Sequence, residues 1–391
     1  MRHGRGHFPT VPPLGEAMQT DFNIAIVGLG KMGVSHLAIA RETPGLTVIA
    51  VCDSSSLLGT MVEKYTGMKF HSDYQALIAQ PELDGIIIAT PTRLHVSMVQ
   101  QALDRGLHVF CEKPLTLTAS DSADLSRAAR QAGLTAQVGY HNRFLGTFAR
   151  AKQIVDDGLI GKIRHIHAEA YGPVVLKPAS RTWRSAAAEG GGCLYDYAAH
   201  PINLMNWYLG RPIACSGAQL TQQWSREVDD AVYASLIFPD GASGQVSVNW
   251  ADETARKMST RLSIWGDCGK IIVERQELQV FLGARAVPTA EYHSGWTVQY
   301  ITELTPHPAF YLRGEEYSAQ LENFASAMRT PEMPGVNDFG SAAMTDFTLQ
   351  MIRDAANNRP VPYAPTAMAA SAQPESKRRR FALFGRMAQQ G

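Results

Sequence analysis

The chain has 391 residues, 45% of them hydrophobic, so it is too long for one ordinary domain and long enough for two domains with real cores. Lysine and arginine together number 36, and so do aspartate and glutamate, which leaves a formal net charge of zero. This balance excludes a strongly basic nucleic-acid-binding chain and gives no reason to expect an acidic membrane surface as a partner.

The ends of the chain and its cysteines limit the class of protein and its expected compartment further. No stretch approaches the roughly 20 apolar residues of a membrane span, so we expect a soluble, cytoplasmic protein without a span. The five cysteines are scattered and form no CxxC pair, which argues against a disulfide scaffold or a zinc knuckle and favours a reducing compartment. Residues 1–20 are expected to be a disordered leader, and residues 358–391, which are rich in Pro and Ala and then basic, a flexible tail.

Short apolar runs alternate with amphipathic, helix-like segments between residues 21 and 144. In segments such as HVSMVQQALDRG the apolar residues recur at three- and four-residue steps, as on one face of a helix. The apolar runs are NIAIVG (23–28), LTVIAVCD (46–53), GIIIAT (85–90), LHVFCE (107–112) and TAQVGY (135–140). Continuous apolar strands that alternate with helices predict a parallel sheet covered on both faces, which is a doubly wound α/β domain.

A glycine-rich segment, GLGKMG, lies between the first of these strands and the helix that follows it. Gly28 permits a tight turn, Gly30 lets the backbone approach a pyrophosphate, and Gly33 lets helix and strand pack closely. The N-terminus of the helix offers free N–H groups and a positive dipole end to the phosphates. Lys31 and Met32 belong to the same predicted cofactor loop.

Asp53 ends the second apolar run, twenty residues after the last glycine of the loop. A carboxylate at this position of a dinucleotide site accepts hydrogen bonds from the adenine ribose hydroxyls and repels a 2′-phosphate. Serines occupy positions 54–56, so no arginine follows to neutralise such a phosphate. We therefore predict a Rossmann domain over residues 21–144 that binds NAD in preference to NADP.

The pattern changes over residues 145–357. Residues 163–172 alternate between apolar and polar, and later runs such as AVYASLIF and SGQVSVNW flank a PDG turn. Alternation with hairpin signals predicts an open, mainly antiparallel sheet with helices on one face and solvent or another subunit on the other. This substrate domain could form a homodimer or homotetramer through its sheet, and its last two helices, 314–328 and 337–356, could pack back on the first domain.

Four further motifs occur in a fixed order along the chain: ATPTRLH (89–95), CEKPL (111–115), GYHNRF (139–144) and GGGCLYDYAAH (190–200). Together with GLGKMG they make residues 22–357 resemble the Gfo/Idh/MocA oxidoreductases, the glucose–fructose oxidoreductase and inositol dehydrogenase group. The resemblance implies a Rossmann domain followed by an α/β domain with an open antiparallel sheet. It also implies NAD(P) as cofactor and a sugar, a cyclitol or a sugar nucleotide as substrate.

The resemblance assigns three catalytic residues: Lys113, Asp196 and His200. Hydride transfer to nicotinamide requires a group that takes the hydroxyl proton, and histidine titrates near neutral pH, so His200 is expected to be the acid/base. Lys113 is expected to stabilise the substrate oxygen, and Asp196, one helical turn before His200, to assist either of them. Whether Lys113 or His200 transfers the proton stays open.

The resemblance also extends the cofactor site beyond the glycine loop. The turn after the strand GIIIAT is expected to line the nicotinamide and its ribose, and the glutamate and lysine of the EKP motif to face its reacting end. The residues assigned in this way are Thr90, Pro91, Thr92, His95, Glu112 and Lys113.

The substrate pocket is expected to draw on strand ends and on the loop LKPASRTWRS (176–185), whose cations could bind a phosphate or carboxylate while Trp183 stacks on a sugar. If this loop reaches the substrate, a sugar nucleotide is favoured over a free sugar or inositol. Many family members carry an aspartate where this chain has Asn203, and the glycine run 190–192 is expected to let backbone approach the substrate. The predicted substrate residues are Tyr140, Asn142, Arg143, Tyr171, Arg181, Trp183 and Asn203.

Two other functions stay open beside the dehydrogenase. Some relatives cleave glycosides by transient oxidation with tightly held NAD, and others are non-catalytic nucleotide-sensing proteins. The joint presence of Lys113, Asp196 and His200 argues against a sensor. His165 and His167 alternate on one strand without a third ligand, so no metal site is expected.

Overall fold

The structure is a computed structural model that describes residues 22–176, 183–308, 310–331, 333 and 335–358. The predicted leader and nearly all of the predicted tail lie outside these residues. Two sheets organise the described chain, one of six strands and one of eight. None of the described helices combines the length and apolar character that crossing a bilayer requires.

The first sheet contains six parallel strands in the order β3-β2-β1-β4-β5-β6, the order of a dinucleotide-binding doubly wound fold. Its strands are β1 Phe22–Val27, β2 Leu46–Cys52, β3 Lys69–His71, β4 Gly85–Ile88, β5 His108–Cys111 and β6 Ala136–Val138. The helices between them are α1 Lys31–Ala40, α2 Ser56–Thr66, α3 Tyr74–Ile78, α4 His95–Asp104 and α5 Ala119–Ala132. Strand β4 is buried throughout, and β1 and β5 are buried from Ile24 and Val109 onward, as their continuous apolar sequences predicted.

The second sheet has the strand order β14-β13-β12-β11-β7-β10-β9-β8. Helix α6 (Gly146–Asp156) precedes it, and α7 (Ala199–Leu209) follows its first strand. The strands are β7 Ile163–Tyr171, β8 Ala214–Thr221, β9 Ala231–Ile237, β10 Ser243–Asn249, β11 Ser259–Gly266, β12 Gly269–Glu274, β13 Glu277–Leu282 and β14 Gly295–Tyr300. Pairing is antiparallel except between β7 and β10, so the predicted fold class is confirmed.

Alternation along the strands gives the second sheet two unlike faces. On β7 the inward side chains Ile166, Ala168 and Ala170 are fully buried, whereas His165 and His167 lie on the outer face and are partly exposed. Helix α7 covers the inner face. The two histidines therefore share a face, and no group of three possible metal ligands occurs among the described residues.

Three helices complete the described chain: α8 Ile301–Leu304, α9 Glu315–Arg329 and α10 Phe339–Asn357. Helix α9 packs on the first sheet, where the Phe324 ring meets the Phe110 ring at 5.8 Å between centroids. Helix α10 packs against α5 and α7. The chain therefore returns to its first domain after it has built the second.

Candidate active site

The glycine loop has the backbone that a pyrophosphate site needs. Gly28 adopts φ 89°, and a Cβ there would lie 2.8 Å from the carbonyl oxygen of Ala89. A Cβ at Gly33 would overlap the carbonyl oxygen of Gly28, so helix α1 can pack this closely only through glycine. Around Gly30 the space is open, and no side chain caps the first turn of α1. Its free N–H groups fit the phosphates of a dinucleotide.

Asp53 follows β2, and its carboxylate faces the glycine loop. Oδ2 accepts a hydrogen bond from the backbone N–H of Leu29 at 2.6 Å, and Oδ1 accepts one from Ser55 at 2.8 Å. Each carboxylate oxygen can accept a second hydrogen bond, so capacity for ribose hydroxyls is left. Lys31 and Met32 lie beside it in the first turn of α1, exposed and half-buried respectively.

The turn after β4 brings Thr90, Pro91 and Thr92 to the carboxyl edge of the sheet, but it places His95 differently from the prediction. His95 is fully buried, with Nδ1 3.1 Å from the Pro114 carbonyl oxygen and Nε2 3.0 Å from the Thr90 carbonyl oxygen. Burial lowers the pKa of His95, although these carbonyls favour its protonated form. A neutral imidazole has one N–H and donates to only one of these two loops, although both ring nitrogens face carbonyl groups of the chain itself.

Glu112 has a partner that the sequence did not reveal. Its Oε1 lies 2.7 Å from Nε2 of His36, a fully buried residue of α1, and its Oε2 accepts from the backbone N–H of Lys113. Burial alone would raise the pKa of Glu112, but the His36 hydrogen bond and the charges of His36 and Lys113 hold it below its usual value. Only a small residue fits at Gly139, where a Cβ would lie 3.1 Å from Oε1 of Glu112.

Lys113 reaches from the first domain to the second. It precedes a cis peptide bond to Pro114, and its Nζ donates to the carbonyl oxygen of Asp196 at 2.9 Å and to Oδ1 at 3.0 Å. The second oxygen of Asp196 accepts from Nε of Arg184 at 2.7 Å. Burial would raise the pKa of Asp196, but Lys113 and Arg184 outweigh it and keep the pKa below its usual value. Asp196 is therefore the ion-pair partner of Lys113.

His200 lies in the same region without a contact to Asp196. Residues Leu194–Ala198 form a π-type turn before α7, so Asp196 lies in this turn and His200 in the first turn of the helix. His200 is buried, and its Nδ1 has no hydrogen-bond partner among the described residues. Burial, Lys113 and His141 together hold the pKa of His200 well below its usual value.

His141, in the motif GYHNRF, adjoins His200 and was not among the predicted site residues. Its ring centroid lies 4.9 Å from that of His200, and it stacks on Tyr317 at 4.7 Å. Burial lowers the pKa of His141 to about 4. Two neutral imidazoles therefore adjoin at neutral pH.

Arg143 and Asn203 were predicted to contact substrate, and the structure pairs them with each other in the interior. Nε of Arg143 donates to Oδ1 of Asn203 at 2.8 Å, and Nδ2 of Asn203 donates to Oγ1 of Thr345 at 3.0 Å. Arg143 is 4% exposed and Asn203 is 1% exposed. Both side chains therefore join α7 to its neighbours in the interior.

The other predicted substrate residues divide into three groups. Tyr140 and Asn142 are buried near His200, and the Tyr140 hydroxyl and Asn142 Nδ2 have no hydrogen-bond partner in the described chain. Tyr171 lies on the outer face of the second sheet, away from α7, because strand alternation places it with His165 and His167. Trp183 is partly exposed beneath the guanidinium of Arg184, whereas Arg181 lies outside the described residues.

The glycine run is explained by the chain's own packing, contrary to the expected approach of backbone to substrate. A Cβ at Gly191 would lie 2.4 Å from the carbonyl oxygen of Arg184, and one at Gly192, with φ 107°, would lie 2.6 Å from Oδ1 of Asp229. Asp229 also accepts from the backbone N–H of Leu194 at 2.7 Å. It therefore caps the start of the segment that carries Asp196 and His200.

A sheet in the dinucleotide-binding order, joined at its carboxyl edge to a lysine–aspartate pair and a buried histidine, defines the class of two-domain nicotinamide-nucleotide oxidoreductases. Residues 22–140 match the family model for the oxidoreductase family with an NAD-binding Rossmann fold, and residues 148–272 match the GFO/IDH/MocA C-terminal domain. The chain belongs to the Gfo/Idh/MocA oxidoreductase family, and its first domain is an NAD-binding Rossmann domain. The predictions of family and enzyme class are confirmed.

Named relatives share most of the chain. One is scyllo-inositol 2-dehydrogenase (NAD(+)) of Bacillus subtilis (strain 168), 26% identical over 88% of this chain and 97% of its own length. Another is dTDP-3,4-didehydro-2,6-dideoxy-alpha-D-glucose 3-reductase of Streptomyces antibioticus, 27% identical over 63% of this chain and 75% of its own. Among solved structures, a levoglucosan dehydrogenase in complex with NADH shares the fold, with TM-score 0.77, 24% identity and coverage of 86% and 97%.

Proposed function

We propose that this oxidoreductase is an NAD-dependent dehydrogenase that acts on a secondary hydroxyl group of a sugar, a cyclitol or a sugar nucleotide. The contact of Lys113 Nζ with Asp196, beside the buried His200, carries the proposal. The names of two relatives support it, since one is an inositol dehydrogenase and the other a reductase of a nucleotide-linked sugar. When NAD is bound, its nicotinamide ring supplies the hydride acceptor.

Lys113 is proposed to bind the substrate oxygen. An ammonium group has three N–H donors, and two of them are directed at the carbonyl and carboxylate oxygens of Asp196. One donor is therefore left for the oxygen of the reacting hydroxyl. Because Asp196 fixes the direction of Nζ, the donor is in place before alkoxide character develops on that oxygen.

His200 is proposed to accept the hydroxyl proton. Its lowered pKa keeps the imidazole neutral near pH 7, so it enters the reaction as a base. Two donors of Lys113 are already directed at Asp196, so Lys113 is proposed as the hydrogen-bond donor of the pair. Asp196 is proposed to position Lys113, and the glycine loop, Asp53 and Glu112 to bind the cofactor.

Two arginines near the candidate site differ in their surroundings. The guanidinium of Arg143 is buried against Asn203 and the Val336 carbonyl, and that of Arg184 binds Asp196. The Arg143 guanidinium is therefore withdrawn from a phosphate, whereas Arg184 uses only Nε for Asp196 and its side chain is 43% exposed. Lys177 and Arg181, which the sequence suggested for this task, lie outside the described residues.

The test is a nicotinamide-absorbance screen with NAD and NADP against sugars, inositols and sugar nucleotides. We expect NADH to form with a polyol or sugar, and His200→Ala and Lys113→Ala to lower kcat by about 10²- to 10⁴-fold. Lys162→Ala is the control, because its side chain pairs with Asp240 on the second domain, away from the site. Its kcat should stay at the wild-type value.

Other outcomes of the screen decide between the alternatives. Glycoside cleavage at constant NADH identifies transient redox chemistry, and nucleotide binding without turnover identifies a sensor. Unchanged turnover in both His200→Ala and Lys113→Ala refutes the catalytic assignment.

We also propose that the outer face of the second sheet joins subunits into a homodimer or homotetramer. Aromatic side chains are exposed there on its edge strand, with Trp296 53% and Tyr300 51% accessible, and Tyr233 lies on β9. Native mass spectrometry tests this arrangement. We expect the wild type to be a dimer or tetramer and the Trp296→Glu variant to dissociate. A monomeric wild type contradicts the proposal.

A reducing, cytoplasmic location is proposed from the cysteines. All five lie in the described part of the chain as free thiols, and three of them are buried. Free thiols persist in a reducing compartment. Cell fractionation with a tagged chain tests this location.

A further inference from the structure

The segment that follows Lys113 is attached to the last helix of the protein. The backbone N–H of Thr116, three residues after Lys113, donates to Oδ2 of Asp346 on α10 at 3.1 Å. Thr116 is fully buried and Asp346 is 4% exposed. The carboxylate therefore holds a backbone donor of the Lys113 loop in an interior where water does not compete.

Asp346 also organises the hydroxyl groups around this loop. Oγ of Ser122, on α5, donates to the same Oδ2 at 2.5 Å and lies 2.6 Å from Oγ1 of Thr116. Oγ1 of Thr116 donates to the Thr118 carbonyl oxygen. One oxygen of Asp346 thus fixes both the start of α5 and the end of the Lys113 loop.

His95 contacts the same loop through carbonyl oxygens, whereas Asp346 contacts it through an N–H group. His95 faces the carbonyl oxygens of Pro114 and Leu115, whereas Asp346 takes the N–H of Thr116. The two carbonyl groups that follow Lys113 therefore face His95, and the N–H group of Thr116 is bound by Asp346. Such a segment has little freedom to shift Nζ relative to Asp196.

Asp346 is expected to lower the free energy of unfolding, because its carboxyl group is buried. Its Oδ1 has no hydrogen-bond partner in the described chain, and no cation among the described residues contacts it. A buried carboxyl with an unsatisfied oxygen destabilises a folded protein, whereas an apolar side chain of similar volume fits such an interior better. The feature that an apolar residue lacks here is the acceptor for Thr116.

We propose that Asp346 is a positioning residue that sets the location of Lys113 through the Thr116 N–H, and the proposal rests on the catalytic role proposed for Lys113. It acts from α10, outside the motifs of the site. Gln350, one helical turn further on, offers a matched control, because its Oε1 accepts the backbone N–H of Ala119 in the same segment, beyond the Lys113 loop.

The test compares Asp346→Leu, Asp346→Asn and Gln350→Leu in the full chain. We expect Asp346→Leu to lower kcat about 10- to 100-fold, since a displacement of about 1 Å has effects of this size. The KM for NAD and the Kd for NADH, measured by fluorescence, should stay unchanged, so that the loss is confined to kcat. Asp346→Asn keeps an amide oxygen for Thr116 and should stay within about twofold of wild type, as should Gln350→Leu.

Three results overturn the proposal: wild-type kcat in Asp346→Leu, an equal loss of kcat in Gln350→Leu, or a kcat that falls only together with Tm in both Asp346 variants. If Asp346→Leu does not fold, Asp346→Ala removes the same acceptor and is judged by the same criteria. A crystal structure of Asp346→Leu should show Nζ of Lys113 displaced from Asp196. Full activity of Lys113→Ala refutes the proposed function, whereas an inactive Lys113→Ala with a normal Asp346→Leu refutes only this inference.

Discussion

Two buried carboxyl groups near the Lys113 loop have pKa values shifted in opposite directions. Glu112 and Asp346 are both desolvated, which raises the pKa of each. Glu112 has His36 and Lys113 as partners, and they lower its pKa below the usual value. Asp346 receives only the Ser122 hydroxyl and the Thr116 N–H, so burial prevails and raises its pKa to about 7. A charged partner, more than burial, decides which carboxyl stays ionised.

The raised pKa of Asp346 makes stability depend on pH. In the folded state this group binds its proton more firmly than in the unfolded state, where its pKa is about 3.9. Its contribution is therefore present at low pH and is lost as pH rises toward and through about 7. We expect Asp346→Asn to gain stability over wild type by about 1 to 3 kcal/mol more at pH 8 than at pH 5. Urea unfolding of both proteins at the two pH values measures this, and an equal difference at both contradicts it.

At the scale of elements, the strands that the sequence predicted are those with strong local patterns. The run GIIIAT became the buried strand β4, and AVYASLIF became β9. Strand β3 was missed because it has three residues, and β14 was missed because its pattern is half exposed and its partner β13 supplies the pairing. Pairing with a neighbour is a tertiary effect that local propensity does not contain.

The site residues that could be predicted from the sequence are those that lie in short local motifs. The meeting of Lys113 with Asp196 followed from the motifs and their family resemblance. The position of Tyr171 did not, because alternation fixes two faces without saying which one a helix covers. His36, Asp229 and Asp346 were missed because each acts on a segment far away in sequence, and no short pattern marks such a contact.

Asp229, which lies 35 positions later in the sequence, caps the start of the segment that carries Asp196 and His200. Burial raises the pKa of Asp229 to about 6, while its bond from the Leu194 N–H opposes the shift. We expect Asp229→Ala to lower the free energy of unfolding by about 1 kcal/mol, as loss of a helix cap does, and to lower kcat. Urea unfolding and steady-state kinetics measure both. Asp252→Ala, which removes an exposed turn carboxylate, is the control, and an Asp229→Ala protein with wild-type stability contradicts the role.

At the scale of the whole molecule, the first domain is completed by a helix made near the end of the chain. Leu321, Phe324 and Met328 of α9 lie in the same core as Ile24, Ile26 and Phe110 of the first sheet. The Rossmann sheet therefore has part of one face covered by residues that follow the second domain. The two domains are consequently expected to unfold together.

Removal of this contact should destabilise the whole protein. Phe324 is fully buried, and truncation of such a ring costs about 3 to 5 kcal/mol. We expect Phe324→Ala to lose this amount in a single unfolding transition detected by both tryptophan fluorescence and far-ultraviolet circular dichroism. Tyr311→Ala, at an exposed ring, is the control. Two separate transitions would show that the domains unfold independently.

The central place of β7 in the second sheet has a consequence for synthesis on the ribosome. β7 is the first strand of its sheet to be translated, yet both of its neighbours, β10 and β11, come later, and His165 meets Ser243 after 78 further positions. Contacts this distant in sequence slow folding, and an unpaired strand is open to aggregation. The nascent chain therefore carries two unpaired edges of β7 until β10 emerges and one until β11 emerges, and it is open to aggregation for that time.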